Sequence, residues 1–397
     1  MIRSTKVTTK FANVNKRQEI HQVIDEYRRV VGIFVDKFWK MDKVPTLVPK
    51  SVTSEITTWL SARMIQAAGK QASGIVRGTR KKYENRIWMI NKLRSEGRHK
   101  QARRLQAIHD KKNLSKPNIQ EVQPELDSRF VKVDIDNPTS FDGWLTLGSI
   151  GDKKKIVIPF KKTKHFNKLL AQGTLKTGVR LSKKSLTFMF DLPEPETKNS
   201  GETLGLDIGY LDILTLSDGQ HVVNDRHGHS LASICQRLAR KQKGSKGFKK
   251  TQDHRRNFIR WSVKQLSLDK TKEVRVENFK HLRRGRRTKR NMSHWNYADI
   301  FDVVNEHFST RGVRVTKVSS PFTSQRCSAC GWVRKRNRKG KQFTCDSCDN
   351  TLDADLNAAR NIALGLPPVG VEKRLDLDNR KGFYWNGSSE ERIVPHA

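Results

Sequence analysis

Apolar and polar positions alternate first in twos and then in steps of three and four, and the changes of period divide the chain. Thr5 to Phe11 reads as a short strand. A helix is expected to open near Asn15, whose side chain can cap it, with Gln18 at the third helical position. Ile20, Val23, Ile24, Tyr27, Val31, Phe34 and Phe38 then recur at helical spacing and mark a buried stripe. A second helical region runs from about Thr53 to His109. From about Asn118 the period shortens: Phe130–Ile135, Gly143–Leu147, Lys155–Phe160, Val179–Leu181 and Leu186–Leu192 read as short strands between turn residues. They fit a small antiparallel barrel or sandwich, into which the helical block is inserted after the first strand.

Pro193 to Gly201 is polar and reads as a linker. Beyond it, strand and helix alternate. Thr203–Asp207, Ile213–Leu216 and His221–Asn224 suggest a meander, and a basic helix covers roughly His229 to Gln265, interrupted at Lys243–Lys250. Val274–Glu277 is the next strand, Trp295–Thr310 the next helix and Gly312–Val318 the next strand. A last helix spans Asp355–Leu364, with Leu356, Ala359, Ile362 and Ala363 on its buried face.

Charge narrows the function. The 397 residues carry a formal net charge of +39, more than solubility requires, which implies a polyanionic partner. At one charge per ~1.7 Å of duplex, that excess matches roughly 66 Å of helix, whereas a compact globule of this length is only about 55 Å across. The protein is therefore expected to wrap nucleic acid or hold more than one strand. Residues 77–112 hold 13 Lys/Arg against three Asp/Glu, a one-sided run expected to contact nucleic acid through Arg77, Arg80, Lys81, Lys82, Arg86, Arg103 and Arg104. Lys246, Lys249, Lys250, Arg283, Arg284, Arg286 and Arg287 are further candidates. No apolar run approaches the ~20 residues of a membrane span, and the N-terminus has no apolar signal core, so a cytoplasmic location is expected. From Leu366 onward, five basic and five acidic residues balance, and this stretch reads as a flexible appendage.

Four of the five cysteines have metal spacing. Cys327, Cys330, Cys345 and Cys348 form two CxxC knuckles separated by 14 residues, and zinc takes four thiolates tetrahedrally. With sulfur in every position no site is left for water, so this zinc is structural and catalysis must lie elsewhere. Cys235 reads as a free thiol on a helix. The intervening hairpin, Trp332–Thr344, offers Arg334, Lys335, Arg336, Arg338, Lys339 and Lys341 to a nucleic-acid strand.

Three carboxylates supply candidate chemistry. Asp207 ends the apolar strand Leu204-Gly-Leu-Asp, with Leu204 and Leu206 turned to one face and Asp207 to the other, and Gly209 permits a close approach. Glu277 ends Val274-Arg-Val-Glu. Asp355 lies in the first turn of the last helix. Singly, these are a turn former, a solvated strand residue and, for either Asp353 or Asp355, a helix cap. In order, however, they place one carboxylate on a first strand, one on the strand after a long helix and one on a last helix, the arrangement of an RNase H-like nuclease centre. Three carboxylates within ~4 Å repel by about 1–4 kcal/mol per pair. Two Mg²⁺ ions, or Mn²⁺ in their place, remove that cost and clamp the attacking and leaving oxygens of a phosphodiester.

Gly205-Leu-Asp207-Ile-Gly209, Val276-Glu277-Asn-Phe, Pro321-Phe-Thr-Ser-Gln-Arg-Cys327-Ser-Ala-Cys330-Gly331 and Asp353-Ala-Asp355-Leu-Asn357-Ala-Ala-Arg-Asn-Ile362 closely resemble the TnpB family of transposon-encoded RNA-guided nucleases, related to compact type V CRISPR effectors. The resemblance is firm from about 203 to 364. It selects Asp355 over Asp353 as the catalytic acid, since the second Asp of that element is the catalytic one in this family. Two departures stand out: Asn278-Phe279 follows Glu277 where the family often has Asp-Leu, and Asp349 replaces a usual Gly after the second knuckle, leaving Asn350 as the expected left-handed residue.

What the resemblance implies is an α/β and α+β multidomain chain. Residues 1–14 and 118–192 would form a β-barrel wedge domain interrupted by a helical recognition lobe at 15–117. After the linker at 193–202, an RNase H-like (RuvC) nuclease domain would occupy 203–326 and 351–365, with the zinc ribbon at 327–350 and the tail at 366–397. The implied partners are a guide RNA with a structured scaffold and double-stranded target DNA recognised beside a short flanking motif. One protein copy per complex is expected, with a dimer left open. A guide-dependent repressor that does not cut, a protein-only transposase and a ribosome-like binder are the alternatives. None of these accounts as well for the three ordered carboxylates.

Overall fold

The computed structural model describes residues 1–112, 114–136, 139–278, 290–319, 321–366 and 380–385. The chain divides into two compact units, Met1–Pro193 and Glu194–Ala397.

In the first unit, β1 (Ile2–Thr8) leads into α1 (Val14–Lys40). The cap of α1 is Asn13, not Asn15: the Asn13 side chain accepts from the Lys16 N–H at 2.9 Å. Val14 is exposed and lies off the apolar stripe, so the helix starts nearly two turns before the stripe does at Ile20. The second helical region is three helices, α2 (Lys50–Ser54), α3 (Ala62–Ser95) and α4 (His99–Lys111). The break between α3 and α4 is at Gly97, in the left-handed region at φ 68°. There follow β2 (Glu125–Leu126), β3 (Val131–Asp134), β4 (Gly143–Leu147), β5 (Ile156–Phe160), α5 (Lys164–Gln172), β6 (Thr174–Leu181) and β7 (Ser185–Asp191). These strands make two antiparallel sheets, β1-β7-β6-β2 and β3-β4-β5, and no closed barrel forms among the described residues. Phe34, Phe38, Phe160, Phe166, Phe188 and Phe190 fill one core that both sheets share with α1 and α3.

The second unit is built on a five-stranded sheet of order β10-β9-β8-β11-β12. Its strands are β8 (Glu202–Asp207), β9 (Leu214–Leu216), β10 (His221–Val222), β11 (Thr271–Glu277) and β12 (Arg314–Val318). The first three form an antiparallel meander, whereas β8, β11 and β12 run parallel. Parallel neighbours require crossovers, and the helices between β10 and β12 supply them. These are α6 (Leu231–Arg240), α7 (Lys246–Lys264) and α8 (Tyr297–Ser309). The expected interruption at 243–250 is narrower, because Ser245 caps α7 by accepting from the Phe248 N–H and brings Lys246–Lys250 into the helix. Residues 332–353 contribute β13 (Trp332–Val333), β14 (Arg338–Lys339), β15 (Gln342–Thr344) and β16 (Thr351–Asp353), and α9 (Ala354–Leu364) follows. Part of the expected appendage is structured: β17 (Phe383–Tyr384) pairs with β13, and Tyr384 lies against the Trp332 ring at 4.8 Å.

Candidate active site and metal centre

The carboxylates are brought together by the sheet. On the adjacent parallel strands β8 and β11, Leu206 is in register with Val276, so Asp207 and Glu277 follow side by side at the carboxyl ends of two strands, about 4.8 Å apart in the pairing direction. The third acid depends on a glycine. Gly205 shares a face with Asp207, and a Cβ there would come within 1.9 Å of the Ala359 carbonyl oxygen and 2.4 Å of the Ala363 nitrogen of α9. The helix backbone therefore lies directly on β8. Asp355 is four residues before Ala359 and so on the same helix face, one turn closer to Asp207. Asp353 is the cap of α9, accepting from the N–H groups of Asp355 and Leu356 at 2.9 and 3.0 Å, which leaves the Asp355 side chain free to point inward.

The three groups sense one another. Burial pushes the Asp207 carboxyl up to about 7, and the neighbouring Asp355 charge pushes the same way against Arg338 and Lys341. Burial likewise pushes Glu277 up to about 8, with the Asp207 charge adding to it. Glu277 is held by the Thr323 hydroxyl, while the Tyr297 hydroxyl donates to its backbone carbonyl. Thr323 is in turn placed by α9: Asn361 Nδ2 donates to its carbonyl at 2.9 Å, and Arg326 donates to Asn361 Oδ1 at 2.7 Å. Asp355 is buried between two cations, Arg338 at 2.7 Å and Lys341, and Lys341 also reaches Asp212 at 2.7 Å. Four carboxylates thus face two cations. When all are ionised, two negative charges lack a partner, the balance that a divalent ion restores. Thr215, in register with Asp207, keeps a buried hydroxyl without a partner. An all-oxygen donor set with excess negative charge fits Mg²⁺ or Mn²⁺.

The sulfur cluster is separate and closed. The four cysteine sulfurs lie within 4.8 Å of one another. Cys327 and Cys348 are 3.7 Å apart, and Cys330 and Cys345 3.6 Å. Tetrahedral zinc with ~2.3 Å Zn–S bonds needs sulfurs about 3.8 Å apart, so the cluster fits zinc. The backbone N–H groups of Cys330 and Ala329 bring the Cys327 thiol below its usual range, against the opposing effect of burial. Gly331 ends the first knuckle at φ 86°, donating to the Cys327 carbonyl. In the second knuckle Asp349 itself takes that role at φ 55°, donating to the Cys345 carbonyl, so Asn350 is not the left-handed residue. Cys235 is buried and unpaired on α6.

Several basic residues have structural duties that the sequence did not reveal. Arg334 and Arg336 both bind Asp346, at 2.6 and 2.7 Å, and Arg338 and Lys341 serve the carboxylate centre; Lys335, Arg336 and Lys339 are exposed on the hairpin. Arg80 binds the Trp39 and Asp42 carbonyls at the end of α1, at 2.9 and 2.8 Å, and Arg77 reaches Thr46. Lys81 pairs with Glu84, and Arg86 is half-buried. Lys82, Arg103, Arg104, Lys246, Lys249 and Lys250 are exposed. Arg283, Arg284, Arg286 and Arg287 lie outside the described residues. Among the described residues no helix is long and apolar enough to cross a membrane. Asp212 is the site residue that sequence reasoning missed, and no signal marks it; Arg338 and Lys341 stand there as nucleic-acid contacts, and Gly205 only as part of the motif around Asp207.

Known proteins match parts of this chain. Residues 297–362 match the family described as Cas12f1-like, TNB domain. A CRISPR-associated endodeoxyribonuclease Cas12f1 of Sulfoacidibacillus thermotolerans is 30% identical over 154 residues, covering 38% of this chain and 35% of that protein. A putative RNA-guided DNA endonuclease of Streptomyces pristinaespiralis is 28% identical over 193 residues, 44% of this chain and 47% of its own. The putative RNA-guided DNA endonuclease InsQ of Escherichia coli (strain K12) is 27% identical over 195 residues, 41% and 48% respectively. The chain spans about half the length, or less, of the curated relatives it matches. Together the matches make this chain similar in part to Cas12f1 and to proteins named as RNA-guided DNA endonucleases.

Proposed function

We propose that the chain is an RNA-guided DNA endonuclease that pairs a guide RNA with target DNA beside a short flanking motif and hydrolyses phosphodiester bonds at Asp207, Glu277 and Asp355. The observation that supports this most is the placement of two acids, half-buried Asp207 and buried Glu277, at the ends of adjacent parallel strands, with a third on a helix seated at Gly205. The relatives named as RNA-guided or CRISPR-associated endonucleases point to the same activity. In this reading, residues 203–326 and 351–365 are a RuvC-like nuclease carrying the zinc ribbon at 327–350. Residues 1–14 and 118–192 form the wedge, and 15–117 the recognition lobe.

Asp207, Glu277 and Asp355 would hold two divalent ions. When bound, these ions supply Lewis acidity to the scissile phosphate and an activated water. Thr323 and Tyr297 hold Glu277 in place, and the Asn361–Arg326 network fixes Thr323 to the same helix that carries Asp355. Exposed Lys82, Arg103 and Arg104 on α3 and α4 contact nucleic-acid backbone, with base pairing left to read the sequence.

The test is to sequence the RNA that co-purifies with the protein, rebuild the complex with a chosen guide, and assay a matching plasmid. A single structured RNA and guide-dependent cutting are expected. Asp207→Ala, Glu277→Ala or Asp355→Ala should lower the rate by about 10³-fold or more while RNA stays bound. Random cellular RNA, or full activity in any of the three variants, contradicts the reading.

A further inference from the structure

We propose that Lys341 is a resident counter-ion of the carboxylate centre that competes with divalent metal for Asp355, and that Asp212 is the berth to which its ammonium withdraws when metal binds. The inference rests on the reading of Asp207, Glu277 and Asp355 as metal ligands. Lys341 lies in the turn between β14 and β15, next to Gly340 at a left-handed φ of 63°. Its carbonyl accepts from the Ala354 N–H at 2.8 Å, which ties the turn to the first residue of α9. The root of the side chain is therefore held beside Asp355 whichever way the ammonium points.

The ammonium bridges Oδ2 of Asp355 and Oδ2 of Asp212, while Arg338 takes Oδ1 of Asp355 at 2.7 Å. Both oxygens of Asp355 are thus engaged by protein cations, and a metal ion approaching Asp355 is repelled by both unless one of them moves away. Only Lys341 can yield without losing its charge partner. Among the described residues Arg338 has no second carboxylate within ion-pair reach, whereas Lys341 has Asp212 at 2.7 Å. An ammonium on a flexible stem also shifts between two acceptors more easily than a planar guanidinium committed to one. Asp212 is itself well placed: it is mostly buried and ends the tight turn after β8, where a Cβ on Gly209 would lie 2.3 Å from the Asp212 carbonyl oxygen. Turn and hairpin hold the two berths of the ammonium side by side, so Lys341 sets how much metal the centre requires and Asp212 lowers that requirement.

Mn²⁺ binding to the zinc-loaded full chain, read as free Mn²⁺ by electron paramagnetic resonance without nucleic acid, tests this. Lys341→Gln should tighten binding by about tenfold, and Asp212→Asn should weaken it by about threefold or more, because the ammonium then has Asp355 alone. In Lys341→Gln/Asp212→Asn the second change should have little further effect, since Asp212 acts through Lys341. Zinc content and melting temperature confirm that each variant is folded. If both single variants shift binding in the same direction, as loss of a purely structural clamp would cause, the proposal fails. It fails too if Asp212→Asn acts equally with and without Lys341. Asp355→Asn separates this from the underlying reading: unchanged Mn²⁺ binding there removes the carboxylate centre itself, and the counter-ion with it.

Discussion

Two clusters in the second unit are suited to metal, and they are built in opposite ways. The four sulfurs come from two short knuckles, each closed by a single left-handed residue, and they reach zinc spacing through local turns alone. The three carboxylates come from two strand ends and a helix more than seventy residues apart in places, and they meet only because the sheet orders β8 beside β11 and Gly205 admits α9. The four sulfurs would fill every position of a tetrahedral zinc and leave none to exchange. The oxygen site is charge-frustrated: burial raises two of its acids, and two protein cations cover the third. A centre meant only to hold metal can be encoded locally and made rigid. One meant to exchange ions and substrate is encoded in topology and remains destabilising until filled.

The contrast can be broken from either side. Cys330→Ser should cause the largest loss, costing about 5 kcal/mol or more as the ribbon loses its zinc, seen as sub-stoichiometric zinc and a lower melting temperature. Stoichiometric zinc at unchanged stability would show that the sulfurs are not a structural site. Next comes pH. Asp207 and Glu277 have folded-state values raised to about 7 and about 8, from ordinary values of 3.8 and 4.5, so the folded protein keeps protons that the unfolded chain has shed. Their stabilising contribution is complete below about pH 4 and is lost as pH rises through 7 and 8, a fall of roughly 4 kcal/mol for each acid taken alone in zinc-loaded protein without added Mg²⁺. Denaturant unfolding between pH 4 and 8 should show this fall, Mg²⁺ should offset it, and Asp207→Asn should reduce it. A flat profile would mean that the carboxyls are not buried against one another.

Gly205→Ala tests the topological half alone. Its methyl would meet the Ala359 carbonyl, which should cost about 3 kcal/mol and displace α9. Cleavage should fall while bound zinc stays at one equivalent, and equal loss of both would show that the two clusters are not built independently. The smallest effect is Asp349→Gly, which relieves a left-handed residue and should raise the ribbon's stability by about 0.5–1 kcal/mol in zinc-competition unfolding.

What could be read in advance follows the same division. The buried stripe of α1 and the cysteine knuckles are patterns within one element or one turn, and the residues themselves carry them. Alternation along β8 and β11 places Asp207 and Glu277 at strand ends, but nothing in either segment says that the two strands are neighbours. Helix α5 was missed because only Phe166 and Leu169 mark its buried face within nine residues. The pairing of Phe383–Tyr384 with Trp332–Val333 was hidden by some fifty intervening residues and a charge-balanced tail. The hairpin cations have a second duty. Their number suggests nucleic acid, and Arg334, Arg336, Arg338 and Lys341 also pair with Asp346 and Asp355, acids that only the fold brings into reach. The strand pattern fits a small antiparallel barrel or sandwich and the resemblance implies a barrel, but the antiparallel strands of the first unit divide into two sheets that share a core with helices.

Anomalous X-ray scattering from crystals of the zinc-loaded protein grown with Mn²⁺ bears most directly on the whole account. It should show a zinc peak among Cys327, Cys330, Cys345 and Cys348 and manganese between Asp207, Glu277 and Asp355. Manganese elsewhere, with those three acids empty at saturating ion, would contradict it.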